Sequence, residues 1–361
     1  MQYKKKLIWL CVIVSLLTVI QVVLPYRPYW TIIYADYIFV PFQSLRNIIF
    51  GWSQLSFGDL FYLVAGVALL VLPLKWIFYS FTFKKNAGKL SHSFLNTVIF
   101  IASVYLLFLL GWGGNYYKPS LTNYWHMDVT NWQDDTTEVA YDHFLINKLN
   151  EYAEGYEPLY FMKVRKDAMK YYKEHTDCKA RLHGLNIKPS VYGYLMQHLG
   201  IQGYYNPITG EAQVNRFLPS FMLPFVVVHE MAHQAGIAAE DDANLLAYTI
   251  SIQSGDPTFR YSAYLNMWLY NHSRLRRRDS VMANEMKALL NPVTLHHLDT
   301  LQQIRERYRS DFSIYSSSMY DVYLKMLQQK EGIGSYNKAV ITAWTWEHND
   351  TLRRRTRLDI P

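Results

Sequence analysis

At 361 residues the chain is long for one domain and short for three; half its residues are hydrophobic and 16% aromatic, so it can bury a sizeable core. Its two cysteines, Cys11 in an apolar stretch and Cys178 far along the chain, exclude a cysteine-based metal site and argue against an intrachain disulfide. The net charge of +7 gathers in short runs (Lys4 to Lys6; Lys75, Lys84, Lys85 and Lys89; Arg274 and Arg276 to Arg278; Arg353 to Arg355 and Arg357), and with no nucleic-acid motif beside them no nucleic-acid partner is expected.

Leu7 to Leu24 is apolar or small throughout except for Gln21, three lysines precede it, and no small-x-small cleavage site follows. It is just long enough to span a bilayer, so a retained helix is predicted rather than a cleaved signal. Second and third apolar runs cover 60–78 and 94–112. The segment between the first two spans carries Tyr26, Tyr29, Trp30, Tyr34, Tyr37, Phe39 and Phe42, which suits a bilayer interface. Lysines in the tail and in the second linker point those parts to the cytoplasm. Three spans then place everything after Trp112 on the outer side of a bacterial inner membrane. The expected organisation is an anchor over 1–112 and an extracytoplasmic domain over 113–361.

That domain is expected to be mainly α. Helices are predicted over 135–156, 164–173, 223–234, 240–254, 258–277, 281–290, 295–309 and 318–329. Lys188 to Gln197 is ambiguous. Ile201 to Val214 looks extended, with turn signals at Asn206-Pro207 and Thr209-Gly210. Gly236 stops one helix, and Gly255-Asp256-Pro257 closes the next.

His229-Glu230-Met231-Ala232-His233 carries the most information. Residues i and i+4 share a helix face, so both imidazoles can reach one cation. Glu230 is one step round, where its carboxylate can address a water on that cation rather than the cation itself. Zinc held by such ligands acidifies its water toward a pKa of about 7, which is the minimum for peptide-bond hydrolysis. Phe225 to Val228 are apolar, so the motif helix is expected to be buried. A third ligand is needed, and Glu240, Asp241 and Asp242 open the next helix; Glu240 is favoured, with the aspartates as rivals or caps.

This pair of helices resembles the gluzincin type of zinc peptidase, in which a second helix supplies a Glu. Glu240-x-x-Ala243-Asn244 is similar to the Glu-x-x-Ala-Asp signature of the membrane-bound Ste24 and HtpX-like peptidases, which implies that Glu240 is the third ligand; Asn244 stands where they have Asp, and the spacing from His233 is shorter. More of the chain resembles an uncharacterised zincin-type family of Bacteroidota membrane proteins. They share the N-terminal spans, a Trp-Gly-x-Asn-Tyr stretch (Trp112 to Tyr116, with an extra Gly) and Pro-x-Thr-Gly-Glu-Ala (Pro207 to Ala212). The resemblance implies an α-rich zincin-like domain with a small β element, a zinc cofactor, and a peptide or protein substrate. In zincins an edge strand before the motif helix pairs with the substrate, and Gln213, Val214 and Asn215 occupy the suitable place.

A second donor to the oxyanion is usual. Tyr261, Tyr264, His272, Tyr320, Tyr323, Tyr336 and Arg260 are candidates, with Tyr336 and Arg260 preferred. Asp241, Asp242 and Asn244 are nearest for orienting the histidines. The expected function is a membrane-anchored zinc metallopeptidase with Glu230 as base. Its rivals are a catalytically inactive peptide-binding sensor and a metal-free structural membrane protein.

Overall fold

The computed structural model describes residues 2–26, 28–132, 136–177, 184–309 and 335–361. It is mainly helical with one small sheet, and it forms two compact units. The first unit is Met1–Lys118 together with Asn206–Glu211; the second is Pro119–Tyr205 together with Ala212–Pro361.

The first unit runs α1 (Gln2–Tyr26), α2 (Pro28–Tyr34), a π-helical turn (Ala35–Phe39), α3 (Val40–Gly51), α4 (Phe57–Phe81) and α5 (Phe83–Gly111). Tyr3–Tyr26, Phe57–Phe81 and Lys85–Gly111 are long and apolar enough to cross a membrane. Several of their polar side chains are satisfied by hydrogen bonds to their own helix or a neighbouring one. Thr18 Oγ1 donates to Val14 O at 2.9 Å, Thr97 to Ser93 O at 3.0 Å and Ser103 to Ile99 O at 2.8 Å, while Gln21 Nε2 of α1 donates to the Tyr105 hydroxyl of α5 at 2.7 Å. An apolar medium demands that satisfaction, because each unmet polar group there costs several kcal/mol. The aliphatic side chains face outward, with Leu69 and Leu70 more than 70% exposed. Pro28, which suits the first position of a helix, opens α2, and from there the aromatic linker expected to lie at an interface is helical through Gly51.

The turn Asn206–Glu211 belongs to this unit because buried polar groups hold it. Gln43 Nε2 donates to Gly210 O at 2.8 Å, and the Arg46 guanidinium donates to Pro207 O, to Gln43 Oε1 and, at 2.9 Å, to Gly111 O. The Glu211 carboxylate accepts from the backbone N–H groups of Phe57 (3.3 Å) and Gly58 (2.6 Å), at the positive end of α4. Gly210 has φ +71°, and a Cβ there would lie 2.8 Å from Arg46 Nε, so the turn requires glycine on both counts. The expected division at 112/113 therefore shifts to 118/119, and a piece of the Pro207 to Ala212 motif joins the membrane-type unit. The sequence shows the turn but not its hydrogen-bond partners, which lie some 150 residues away.

The second unit runs α6 (Leu121–Tyr124), α7 (Thr136–Ala153), α8 (Phe161–His175), β1 (Ile187–Ser190), α9 (Gly193–Leu199), β2 (Gly203–Asn206), β3 (Glu211–Asn215), α10 (Leu223–Gln234), α11 (Glu240–Gln253), α12 (Pro257–Arg278), α13 (Ser280–Lys287), α14 (Pro292–Arg307), α15 (Ser335–Glu347) and α16 (Asp350–Arg353), with the tip of the β2–β3 hairpin in the first unit. The predicted 223–234 helix matches α10 residue for residue; the ambiguous 188–197 segment divides into β1 and α9. The 318–329 helix, Tyr320, Tyr323 and Cys178 lie outside the described residues. α10 is buried along nearly its whole length, packed by α8, α11 and α12. Met222 offers α10 no side-chain cap, and the orphan N–H of Phe225 goes instead to Ser262 Oγ of α12 at 3.1 Å. The sheet order is β1-β3-β2, with β1 and β3 parallel in the register Ile187 to Ala212 through Ser190 to Asn215.

Replacing Arg46 by Ala strips two backbone carbonyls and Gln43 of their buried donor. The expected loss is about 3 kcal/mol of stability for the full chain in detergent, read from its thermal unfolding.

Candidate metal centre

α10 ends in a turn whose hydrogen bonds also arrange the site. Gly236, at φ +93°, donates to His233 O at 3.0 Å, and Ile237 N–H donates to Ala232 O at 3.1 Å. This is a Schellman stop, which needs a left-handed residue and hence favours glycine. The same turn presents Ile237 O, 2.7 Å from His233 Nδ1. With its Nδ1 proton donated there, His233 presents Nε2 toward Glu240 as the candidate ligand atom. Four residues beyond Gly236, α11 opens with Glu240 and brings its carboxylate back over α10.

His229 Nε2 lies 3.3 Å from Glu240 Oε2, and His233 Nε2 lies 3.6 Å from Glu240 Oε1. One ligand atom from each residue falls within 4.8 Å of the others. Donors roughly 2.1 Å from a tetrahedral cation stand roughly 3.4 Å apart, so this set fits zinc. The rival acids are engaged elsewhere: Asp241 Oδ2 pairs with Lys338 Nζ at 2.7 Å, and Asp242 Oδ1 accepts from Leu121 N–H at 3.0 Å. Asn244 stands next to His229, where its amide favours the protonated ring.

The electrostatics follow from burial. Desolvation depresses His229. Desolvation also acts against a charged His233, but the adjoining Glu240 carboxylate outweighs it and raises that histidine to about 9. Glu240 itself is held well below the usual carboxylate range: burial opposes its charge, and the two histidines more than compensate. Glu230 is 5% exposed, and burial pushes it up to about 8. Its Oε2 has no hydrogen-bond partner among the described residues. A carboxylate raised in this way is poised to carry a proton near neutral pH.

Gly203, at the start of β2, was not legible as a site residue. A Cβ there would lie 2.5 Å from Glu230 Oε1, 2.6 Å from its Cγ and 2.8 Å from Gln213 O. The strand backbone thus approaches the Glu230 side chain closely enough to admit only glycine. Nothing in the spacing of Gly203 signals this, because Glu230 is contacted across the fold.

The proposed substrate-binding stretch requires correction. Gln213, Val214 and Asn215 lie on β3, which is the central strand, with β1 on one side and β2 on the other. Its ladder is already paired on both sides and all three residues are buried, so it has no open edge for a substrate. The strand that meets Glu230 is β2. Of the oxyanion candidates, Tyr261 hydrogen-bonds with Thr294 and His297, His272 stands 3.4 Å from Asp142, and Arg260 donates to Ile252 O and the Tyr152 hydroxyl. Tyr264 is buried and stacks on Tyr152. The backbone of Tyr336 lies in α15, and its side chain is outside the described residues.

Two outcomes follow. Should the three groups take up zinc, the ion must displace the proton held on His233 up to about pH 9 by its carboxylate neighbours, so the expected affinity rises by up to about tenfold per pH unit through neutrality, with about one proton released per ion at pH 7.5. Calorimetry in buffers of different ionisation enthalpy measures this, and binding without proton release contradicts it. Gly203→Ala is expected to cost about 1–3 kcal/mol by forcing β2 and Glu230 apart, with the zinc stoichiometry retained; an unchanged melting temperature would show that the contact is slack.

No curated protein and no solved structure matches the chain. A family model, described as a protein of unknown function, DUF3810, matches residues 34–342. That match covers most of the sequence, from the aromatic linker through the three convergent ligands and into α15, and the chain therefore belongs to the DUF3810 family.

Proposed function

We propose that the protein is a membrane-anchored zinc metallopeptidase with a zincin-like domain. The observation that carries this reading is the convergence of His229, His233 and Glu240 beside the buried carboxylate of Glu230, whose Oε2 has no hydrogen-bond partner among the described residues. Zinc, when bound, supplies Lewis acidity toward a scissile carbonyl and lowers the pKa of an attacking water. Glu230 takes the proton of that water and hands it to the leaving amine. His233 is kept in the ligating tautomer by Ile237 O, and Gly203 leaves room for the Glu230 side chain. We assign the substrate to the outer strand β2 rather than to β3. The three apolar helices anchor the chain in a bacterial inner membrane, with the N-terminal tail and the Lys84 to Lys89 linker cytoplasmic and the metal-binding unit outside.

Glu230→Gln tests the assignment. The amide fits the same space and cannot accept the proton. Hydrolysis of a peptide library should fall by about 10²–10⁴-fold, with one zinc per chain retained. Zinc binding without turnover in the wild-type chain would favour the inactive sensor, and a folded wild-type chain that takes up no zinc would favour the structural membrane protein.

A further inference from the structure

α8 is amphipathic in an unusual sense. Val164, Ala168, Tyr171 and Tyr172 are buried against the core. The opposite face carries Met162, Arg165, Lys166, Met169, Lys170 and Lys173, at steps of three, one, three, one and three. That spacing is one continuous stripe of a helix. The stripe walls a cavity of about 1350 Å³, with Gly184 and Leu185 across from it.

A second cationic segment arrives from the far end of the chain. Leu358 N–H donates to His175 O at 2.8 Å, Asp177 N–H to Leu358 O at 3.3 Å, and Ile360 N–H to Asp177 Oδ1 at 3.1 Å. These bonds clip the C-terminal tail to the end of α8 and bring Arg357 into the lining of the cavity. Two basic runs almost two hundred residues apart therefore meet in one place. The charge there is unbalanced. Glu174 is the only acid among the described lining residues, and it already lies 3.9 Å from Lys170 Nζ. Among the described residues no acidic group pairs with Lys166, Lys173 or Arg357. Lys163 is turned to the flank, where it pairs with Asp167 at 2.8 Å.

We propose that this groove binds a polyanion built on phosphate groups. Arg165 to Lys173 spans about 12 Å of helix, more than one phosphate can bridge, so the ligand carries at least two. The α8 backbone is satisfied within its own helix and offers an acidic peptide no ladder to join, which leaves recognition to side-chain charge. Lysines on flexible stems and an arginine fork are suited to phosphate oxygens, and Met162 and Met169 give the uncharged part of the ligand an apolar rest. The floor of the groove is Tyr172, whose hydroxyl donates to Val228 O at 2.7 Å, one residue before His229. An occupant therefore touches a residue that is hydrogen-bonded to the helix carrying His229 and His233.

The test uses the full chain in nanodiscs of neutral lipid. Inorganic tripolyphosphate, tetrahexanoyl cardiolipin (two phosphates) below its micelle concentration and hexaglutamate are titrated separately by calorimetry. Saturable tripolyphosphate binding is expected, weakening with salt and falling at least tenfold in Lys166→Glu/Lys173→Glu. Arg276→Glu/Arg277→Glu, which makes the same charge change on exposed residues of α12, should leave it unchanged. Equal binding of the short-chain cardiolipin would support the site and point to a lipid headgroup; tripolyphosphate alone would point to a soluble ligand. Absence of saturable tripolyphosphate binding, equal losses in the two double variants, or binding that survives in the α8 variant would overturn the proposal. Preference for hexaglutamate would overturn it in favour of an acidic peptide. None of these readouts depends on hydrolysis.

Discussion

The carboxylate of Glu240 is buried between two imidazole nitrogens, and much of the second unit can be understood from the cost of placing a charge there. An isolated carboxylate at such a position would give up its charge, since desolvation alone costs several kcal/mol. Here His229 and His233 more than offset that penalty, and Glu240 stays ionised. For the offset to work, Nε2 of each ring must face the carboxylate at 3.3 and 3.6 Å, which fixes the phase of α10, the tautomer of His233 and the register at which α11 begins. The Schellman turn at Gly236 meets all three demands within a few residues. It stops α10, supplies Ile237 O to His233 Nδ1, and reverses the chain so that the first residue of α11 faces back.

Around this core the acids divide by what they touch. Glu240 faces the imidazoles, Asp241 a lysine and Asp242 a backbone N–H, although the three are consecutive on one helix turn. Successive residues of a helix point about 100° apart, so adjacent acids on α11 must serve different neighbours. Glu230 shares the burial without a cation as close. Its raised affinity for protons comes from burial, and Gly203 packs directly against its side chain. The first unit applies the same rule to a basic group. Arg46 is buried because three oxygens and the Phe42 ring surround it, and the Asn206–Glu211 turn supplies one of those oxygens.

The proposed anion groove illustrates the opposite condition. On the outer stripe of α8, Lys166 and Lys173 are exposed and have no acidic partner among the described residues, so they impose little internal cost. Besides the packing of α8 on α10, a hydrogen bond from Tyr172 reaches the backbone ahead of His229 in the candidate site. That bond gives the groove a physical path to the motif helix.

By itself the sequence determined what depends on neighbours along the chain. Apolar run length marks the three candidate spans, the i,i+4 histidines share a helix face, Gly236 ends that helix, and Glu240 begins the next. All of these are set by helical period, capping and span length, which act over a few residues. Tertiary structure alone decided what depends on long-range packing. The sheet order put Gln213 to Asn215 on a central strand rather than an edge, Gly203 came against Glu230, Pro207 to Glu211 joined the unit of Arg46, and Arg357 reached α8. The reason is that strand order and side-chain neighbours across a core are fixed by which buried groups satisfy one another, and no local pattern records those partners.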